Sequence, residues 1–334
     1  MDTDPVPPKT STPSSLHRSQ GALLGLACGD ALGAPIEFMD RITVRRRYGK
    51  VTDMMAAGTW AAGEWSDDTG LTLCLAEGIL EEPGEPVDAV GHKLVEWSET
   101  AKDFAATIRT AIQRFQDVQS WTEASRSSPH ALSGRAGGNG SLMRTLPVAL
   151  GYAEADEILR VSASLSAMTH WDSQAEACCA IYNLWVGGLL RGEEMATAWS
   201  HALATVEELA SQDSPFPETP GLGDLPEDFW SLLRAIPGKR YEELQPSGFA
   251  SHCVECLEAA AWCCLNAQDA EQAILDAINL AGESDTIGAV AGGLAGAYWG
   301  SHGLPQRWLS ILYDRERIEE LGRRLDHLRD NAEN

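Results

Sequence analysis

The sequence predicts an all-α protein built as a single compact, multi-helix domain, and three observations carry that prediction. Stretches of about 12 to 20 residues rich in Ala and Leu recur along the 334 residues at helical spacing. Alternating Val, Ile and Thr runs, the mark of half-buried strands, are few. Hydrophobic residues make up 44% of the chain, enough to bury a substantial core.

Taken in order, residues 1–15 carry Pro5, Pro7, Pro8 and Pro13 among Ser and Thr, and predict a disordered tail. Residues 16–334 are the expected folded domain, with helical patterning from Leu16. Residues 41–62 are mixed, and Gly58 and Gly63 suggest a loop leading into a helix over 69–82. Two amphipathic helices are expected within 87–128. The Gly-rich loop SGRAGGNG, 133–140, leads into a helix from Ser141 or Leu142. Helices follow over 154–168, 173–191 and 192–211. Over 212–248, six prolines from Pro215 to Pro246 rule out long helices. Phe216, Phe229, Trp230 and Tyr241 are interspersed there, so the segment reads as an ordered excursion with a short helix. Helices resume over 251–267, 270–280, 286–300 and 315–329.

Two helices share an unusual trait. Gly21, Gly25, Gly29 and Gly33 recur every four residues, and so do Gly288, Gly292, Gly296 and Gly300. A glycine inside a helix costs about 1 kcal/mol against alanine. Period-four glycines make a smooth stripe that lets a second helix approach closely, so a tight crossing at the centre of the core is expected.

A net charge of −24 and a sequence pI of about 4.6 argue against nucleic acid and anionic membranes as partners. A phosphorylated small ligand stays compatible, since helix N-termini bind diphosphate without net positive charge. The eight cysteines include the adjacent pairs Cys178-Cys179 and Cys263-Cys264, unlike a secreted disulfide framework. Cys253, Cys256 and Cys263/Cys264 invite a zinc reading, but the same spacing places small apolar side chains on one helix face, the commoner use. Residues 1–20 lack the apolar core of a signal peptide, and no stretch matches a membrane span. A cytoplasmic, reduced, monomeric protein is expected.

The residues suited to chemistry cluster at helix starts. Ser66-Asp67-Asp68-Thr69 and Glu283-Ser284-Asp285-Thr286 each stand before an apolar helix. Alone, either is well explained as a cap with acids complementing the helix dipole. Together, two acidic helix starts joined through close-packing glycine helices repel unless cations neutralise them. Carboxylate and hydroxyl oxygens suit hard cations such as Mg²⁺ or Mn²⁺, and two such ions can grip a diol and activate water. Asp30 inside an apolar helix is either a buried acid bonded to backbone amides or a catalytic group. Glu37, after Gly33 and Pro35, falls on a loop beyond the helix end. Gly137-Gly138-Asn139-Gly140-Ser141 is a weak phosphate-cradle pattern. His170, between helices, reads more readily as structural.

Together these motifs resemble the ADP-ribosylglycohydrolase family, in chain order: GALLGLACGDALGAPIEFM, GEWSDDTGLTLCLAEGIL, GGNGSLMRTLPVAL, MTHWDSQAEACCAIY and GESDTIGAVAGGLAGAYWG. Within it the chain looks closest to the dinitrogenase-reductase-activating, arginine-specific branch. The resemblance implies an all-α domain with a dinuclear Mg²⁺ or Mn²⁺ site held by Ser66, Asp67, Asp68, Asp285 and Thr286. It implies contact with ADP-ribose by Gly138, Asn139, Gly140 and Ser141, with His170 nearby and Glu37 as gate or acid/base. One departure stands out: Glu283 replaces the family's usual first Asp of G-D-T-D-T. Its extra methylene keeps the charge and moves the oxygen by about 1.5 Å, still within reach of a metal.

The activity implied is removal of ADP-ribose from arginine side chains of modified proteins, with Asp67, Asp68 or Glu37 taking a proton from water. The main rival is an immunity protein that blocks an ADP-ribosyltransferase toxin by contact. A third reading is a hydrolase of serine-linked or free ADP-ribose derivatives.

Overall fold

The computed structural model describes residues 13–102, 104–211, 218–223, 225–244 and 252–332. Among these residues the fold is helical, and the only β-type pairings are isolated bridges at Ala57–Trp60 and Gly138–His252. Four helices make the first part: α1 (Ser15–Gly33), α2 (Arg41–Tyr48), α3 (Asp67–Glu81) and α4 (Val87–Ser98). Next come α5 (Ala106–Val118), α6 (Trp121–Arg126), α7 (Pro129–Leu132), α8 (Pro147–Gly151) and α9 (Ala155–Ala167). Two long helices, α10 (Ser173–Leu190) and α11 (Met195–Ala210), precede the short α12 (Glu227–Ala235) of the Pro-rich excursion. The chain closes through α13 (Cys253–Asn266), α14 (Ala270–Ile278), α15 (Ser284–Trp299), α16 (Gln306–Leu309) and α17 (Arg315–Ala332).

The two glycine-striped helices are α1 and α15, and they meet stripe to stripe. A Cβ on Gly21 would lie 2.5 Å from the Gly296 carbonyl oxygen, and one on Gly288 would lie 2.6 Å from that of Gly29. At Gly25 and Gly292 an added Cβ would fall inside the partner's backbone carbonyl. The pairing of Gly21 with Gly296, Gly25 with Gly292 and Gly29 with Gly288 makes the helices antiparallel. Backbone-to-backbone contact of this kind forfeits side-chain burial at the stripe. In exchange, the flanking Leu23, Leu26, Ala27, Leu294 and Ala295 are all buried in one continuous apolar cluster. The end of α1 therefore sits on the start of α15: Ser284 Oγ donates to the Gly33 carbonyl at 2.9 Å.

Several expected boundaries move. The helix expected from Ser141 does not form; residues 139–146 are turns, and only α8 follows. Pro147 has no N–H for the Met143 carbonyl, which lies instead 3.5 Å from the Thr72 hydroxyl. Residues 87–128 hold three helices, because Gln119 takes a left-handed conformation (φ 54°) and Ser120 caps α6 through its side chain. The helix expected from residue 192 starts at Met195. Of the expected tail, residues 1–12 lie outside the described residues; Ser14 caps α1 and Ser15 is its first residue. The eight cysteines are buried and free. No single helix among the described residues is long and apolar enough to cross a membrane.

Buried Glu176 on α10 ties the excursion to the core. It accepts from the Gly221 N–H at 3.0 Å and the Thr219 hydroxyl at 3.2 Å. Burial pushes its carboxyl up to about 7, against those two hydrogen bonds.

Two outcomes are expected. In urea unfolding, Gly292→Val should cost about 3 kcal/mol or more, because no flexible side chain can yield, while Gly84→Ala, in open space, should change stability by less than about 0.5 kcal/mol. Glu176 has a folded pKa above its unfolded value, so its contribution is complete below about 4.5 and is lost as pH rises through about 7. Urea unfolding across that window should show a decline in the wild type that exceeds the decline in Glu176→Gln by roughly 2–3 kcal/mol.

Candidate active site

The site begins with how α3 is capped. Ser66 stands at the N-cap, yet its side chain makes no capping bond. Asp30, fully buried on α1, does the capping from a distance. Its carboxylate accepts from Ser66 N and Thr69 N, both at 2.9 Å, and from Thr69 Oγ1 at 2.6 Å. Burial raises the Asp30 pKa and these hydrogen bonds lower it. Both Asp30 oxygens are thus committed, which makes it the buried acid bonded to backbone amides. With the α3 amides satisfied, Ser66 Oγ turns to Asp68 Oδ2 at 3.3 Å.

Asp68 and Asp285 lie at the bottom of the cluster, 1% and 2% exposed. Thr286 Oγ1 reaches Asp68 Oδ2 at 3.5 Å, and Thr286 N donates to Asp285 Oδ1 at 2.8 Å. Asp68 Oδ1 is buried and takes no hydrogen bond among the described residues. Burial, then the negative charges of Asp285, Asp30, Asp67 and Glu37, hold the Asp68 carboxyl well above the usual carboxylate range. Asp285 is pushed well up too, by burial first and then by Glu37, Asp30 and Asp67. Two helix starts and one loop have therefore converged on a small volume of unrelieved negative charge.

Glu37 reaches the cluster through a backbone staple. Phe38, in a left-handed conformation (φ 60°), donates its N–H to the Gly282 carbonyl at 2.7 Å, and Gly282 N donates to the Met39 carbonyl at 2.9 Å. Glu283 occupies the N-cap position of α15 without capping it. It accepts instead from Asn139 Nδ2 at 3.4 Å, so the departure from the family pattern points toward the Gly-rich loop.

Behind that loop, a polar chain orients His170. Buried Arg144 donates from Nη2 to Thr169 Oγ1 at 2.8 Å, and Thr169 Oγ1 lies 2.7 Å from His170 Nδ1. Arginine can only donate, so the Thr169 oxygen accepts from it. Among the described residues, Nδ1 is the acceptor within reach of the hydroxyl proton, which assigns the ring proton to Nε2. That nitrogen faces the loop: a Cβ on Gly140 would lie 3.1 Å from it, and one on Gly138 would lie 3.7 Å away. Burial, then the Arg144 and His130 charges, hold the His170 pKa well below its ordinary value. Ser141 is set apart from the others; its hydroxyl accepts from Ser166 at 3.0 Å and Cys179 at 3.6 Å, behind the loop.

A cavity of about 1130 Å³ opens over this arrangement. Glu37, Ser66, Asp67, Asp68, Glu283 and Thr286 line one side, and Gly138, Asn139, Gly140 and His170 another. Asp285 lies directly beneath. The remaining wall contains Trp60, Lys102, Phe104, His130 and Arg135. None of these five stood out in the sequence, because each is a lone residue in a loop or at a helix start without periodic neighbours. Lys102 lies 4.9 Å from the Trp60 ring centroid and pairs with Glu64 at 2.5 Å.

Against known proteins, the model of the ADP-ribosylglycohydrolase family matches residues 11–334. The chain belongs to this family. An ADP-ribosylarginine hydrolase, Tri1, of Serratia proteamaculans is 28% identical over 94% of this chain and 80% of its own length. The ADP-ribosyl-[dinitrogen reductase] glycohydrolase of Rhodospirillum rubrum is 28% identical over 95% of this chain and 97% of its own. A solved structure described as an ADP-ribosylglycohydrolase-related protein complex superposes with a TM-score of 0.74 at 29% identity, covering 94% of this chain and 99% of that one. Membership places the chain among glycohydrolases acting on ADP-ribosyl groups, a family that is generally dependent on Mg²⁺ or Mn²⁺.

The tautomer assignment has a direct test. Nitrogen-15 NMR of His170 should show a neutral ring protonated at Nε2 that does not titrate between about pH 6 and pH 8. Thr169→Val should mix the tautomers without unfolding the protein. A ring that titrates near 6.5 in the folded wild type would refute the assignment.

Proposed function

We propose that this chain is a divalent-cation-dependent hydrolase that cleaves the N-glycosidic bond joining ADP-ribose to arginine side chains of modified proteins. One observation carries the reading. Asp67, Asp68, Asp285 and Glu37 converge on one cavity, and the buried Asp68 Oδ1 is left unpartnered. An orphaned carboxylate oxygen among like charges is costly unless a cation completes it.

The donors suit the group: Ser66, Asp67, Asp68, Glu283, Asp285 and Thr286 offer only oxygen, which fits two Mg²⁺ or Mn²⁺ ions. Bound there, the ions supply Lewis acidity toward a ribose diol and the attacking water. The protein's own groups do the rest. Asp67 and Glu37 are half-buried on the cavity side, and are the acids with access to take the water's proton. The water oxygen bonds to C1″ of the ribose as the C1″–N bond breaks, and the guanidine leaves with a proton. Asn139 holds Glu283 in place, and Nε2 of His170 faces the glycine loop, which would contact the remainder of the ADP-ribose.

Arginine linkage is supported by the acidic cavity floor, which favours a protonated guanidinium leaving group, and by the name of the Serratia relative. Serine-linked and free ADP-ribose derivatives are the competing substrates. The contact-blocking alternative draws on the N-terminal tail and the Pro-rich excursion, whereas the acidic cluster opening on a deep cavity favours hydrolysis.

Metal-stripped protein should be inactive on arginine-linked ADP-ribosyl peptide and regain turnover with Mg²⁺ or Mn²⁺. Its thermal midpoint should rise on adding either ion in the wild type, but not in Asp68→Asn. Full activity in EDTA, or faster release from serine-linked peptide, would sink the metal or the arginine part respectively. Glu283→Asp should keep activity, and Glu283→Ala should lose at least about tenfold.

A further inference from the structure

A second group of metal-competent side chains stands against Gly137 of the Gly-rich loop, and its His252 also lines the cavity. Asp172 is the N-cap of α10, while His252 and Cys253 are the N-cap and first residue of α13. One ligand atom from each lies within 4.8 Å of the other two. Cys253 Sγ is 3.5 Å from His252 Nδ1. A tetrahedral zinc ion, with Zn–S near 2.3 Å and Zn–N near 2.0–2.1 Å, sets those two atoms roughly 3.6 Å apart. The pair therefore already has the spacing of two ligands on one ion.

The protonation pattern agrees. Nδ1 of His252 is unprotonated and its one lone pair accepts a long bond from the Val254 N–H at 3.4 Å, the bond an ion at Nδ1 would displace. Asp172 Oδ1 accepts from Gln174 N and Ala175 N at 2.9 and 3.1 Å, and Oδ2 has no hydrogen bond among the described residues. Sulfur, imidazole and one carboxylate form a donor set different in kind from the oxygen-only set around Asp68.

We propose that Asp172, His252 and Cys253 form a second metal site, selective for a borderline-soft divalent ion of the Zn²⁺ class and distinct in its donors from the carboxylate site. Binding releases the thiol proton of Cys253 to solvent. The ion ties the start of α10 to the start of α13. It also braces the Gly-rich loop, since Cys253 N donates to the Gly137 carbonyl at 3.0 Å. No step of the hydrolysis runs through it; its work is to hold one wall of the cavity.

Cobalt can stand in for zinc, because a thiolate ligand gives a near-ultraviolet charge-transfer band that an all-oxygen site cannot produce. Metal-free full-length protein, titrated with Co²⁺ in excess Mg²⁺, should develop that band to one equivalent and lose it when Zn²⁺ is added. The band should survive Asp68→Asn and vanish in Cys253→Ser. Asp172→Asn keeps an oxygen for capping α10, so it should fold and bind Co²⁺ at least about tenfold more weakly. No band in the wild type, or an undiminished band in a folded Cys253→Ser, overturns the proposal. Should Cys253→Ser fail to fold, unchanged Co²⁺ affinity in Asp172→Asn overturns it instead.

Discussion

The contact on which this structure depends is backbone against backbone, where the glycine stripe of α1 meets that of α15. A side chain at Gly21, Gly25, Gly29, Gly288, Gly292 or Gly296 would enter the other helix's carbonyl row, whereas Gly300 lies beyond the stripe as the C-cap of α15. The cost, about 1 kcal/mol of helix propensity per glycine, is offset by burial of the flanking leucines and alanines on both sides. Direction matters as much as distance. Because the pair is antiparallel, the C-terminal end of one helix meets the N-terminal end of the other, and residues about 250 positions apart become neighbours. Asp30 extends the arrangement to a third element by capping α3 through space. A packing rule thus sets the position of every carboxylate in the cluster.

The electrostatics follow from that geometry. Asp68 and Asp285 are held in a dry environment beside Asp30, Asp67 and Glu37, and their carboxyls are driven well upward. Such a set does not stabilise the fold by itself. It is tolerated because Asp30 is fully bonded and because the rest of the molecule supplies the folding energy through one extensive apolar cluster. The crowding of these acids is what the proposed divalent cations would relieve.

Much of this was legible in the residues. Helix content, the close glycine crossing and the two acidic helix starts follow from period-four spacing and from Ser, Asp and Thr standing before apolar runs. What the residues did not reveal depends on contacts distant in sequence. Whether Asp30 capped or catalysed was undecided until α3 was seen to lack a side-chain cap of its own. The helix expected after Ser141 failed because Pro147 has no N–H to give the Met143 carbonyl. Trp60, Lys102 and Phe104 line the cavity without any pattern, since a loop residue acquires its neighbours only from tertiary structure. Cysteines 256, 263 and 264 follow the helix-face reading, whereas Cys253 joins residues 80 positions away.

The position of α15 near the end of the chain has a consequence for synthesis. As the protein is made, α1 emerges with its glycine face bare, and the partner that fits that face, α15, follows about 250 residues later. Until then, the carboxylates of α1 and α3 have no Asp285 or Thr286 beside them. A truncated product ending before residue 284 would lack both the helix that covers α1 and half of the acidic cluster. The covered glycine face and the complete acidic cluster are thus acquired late, and together.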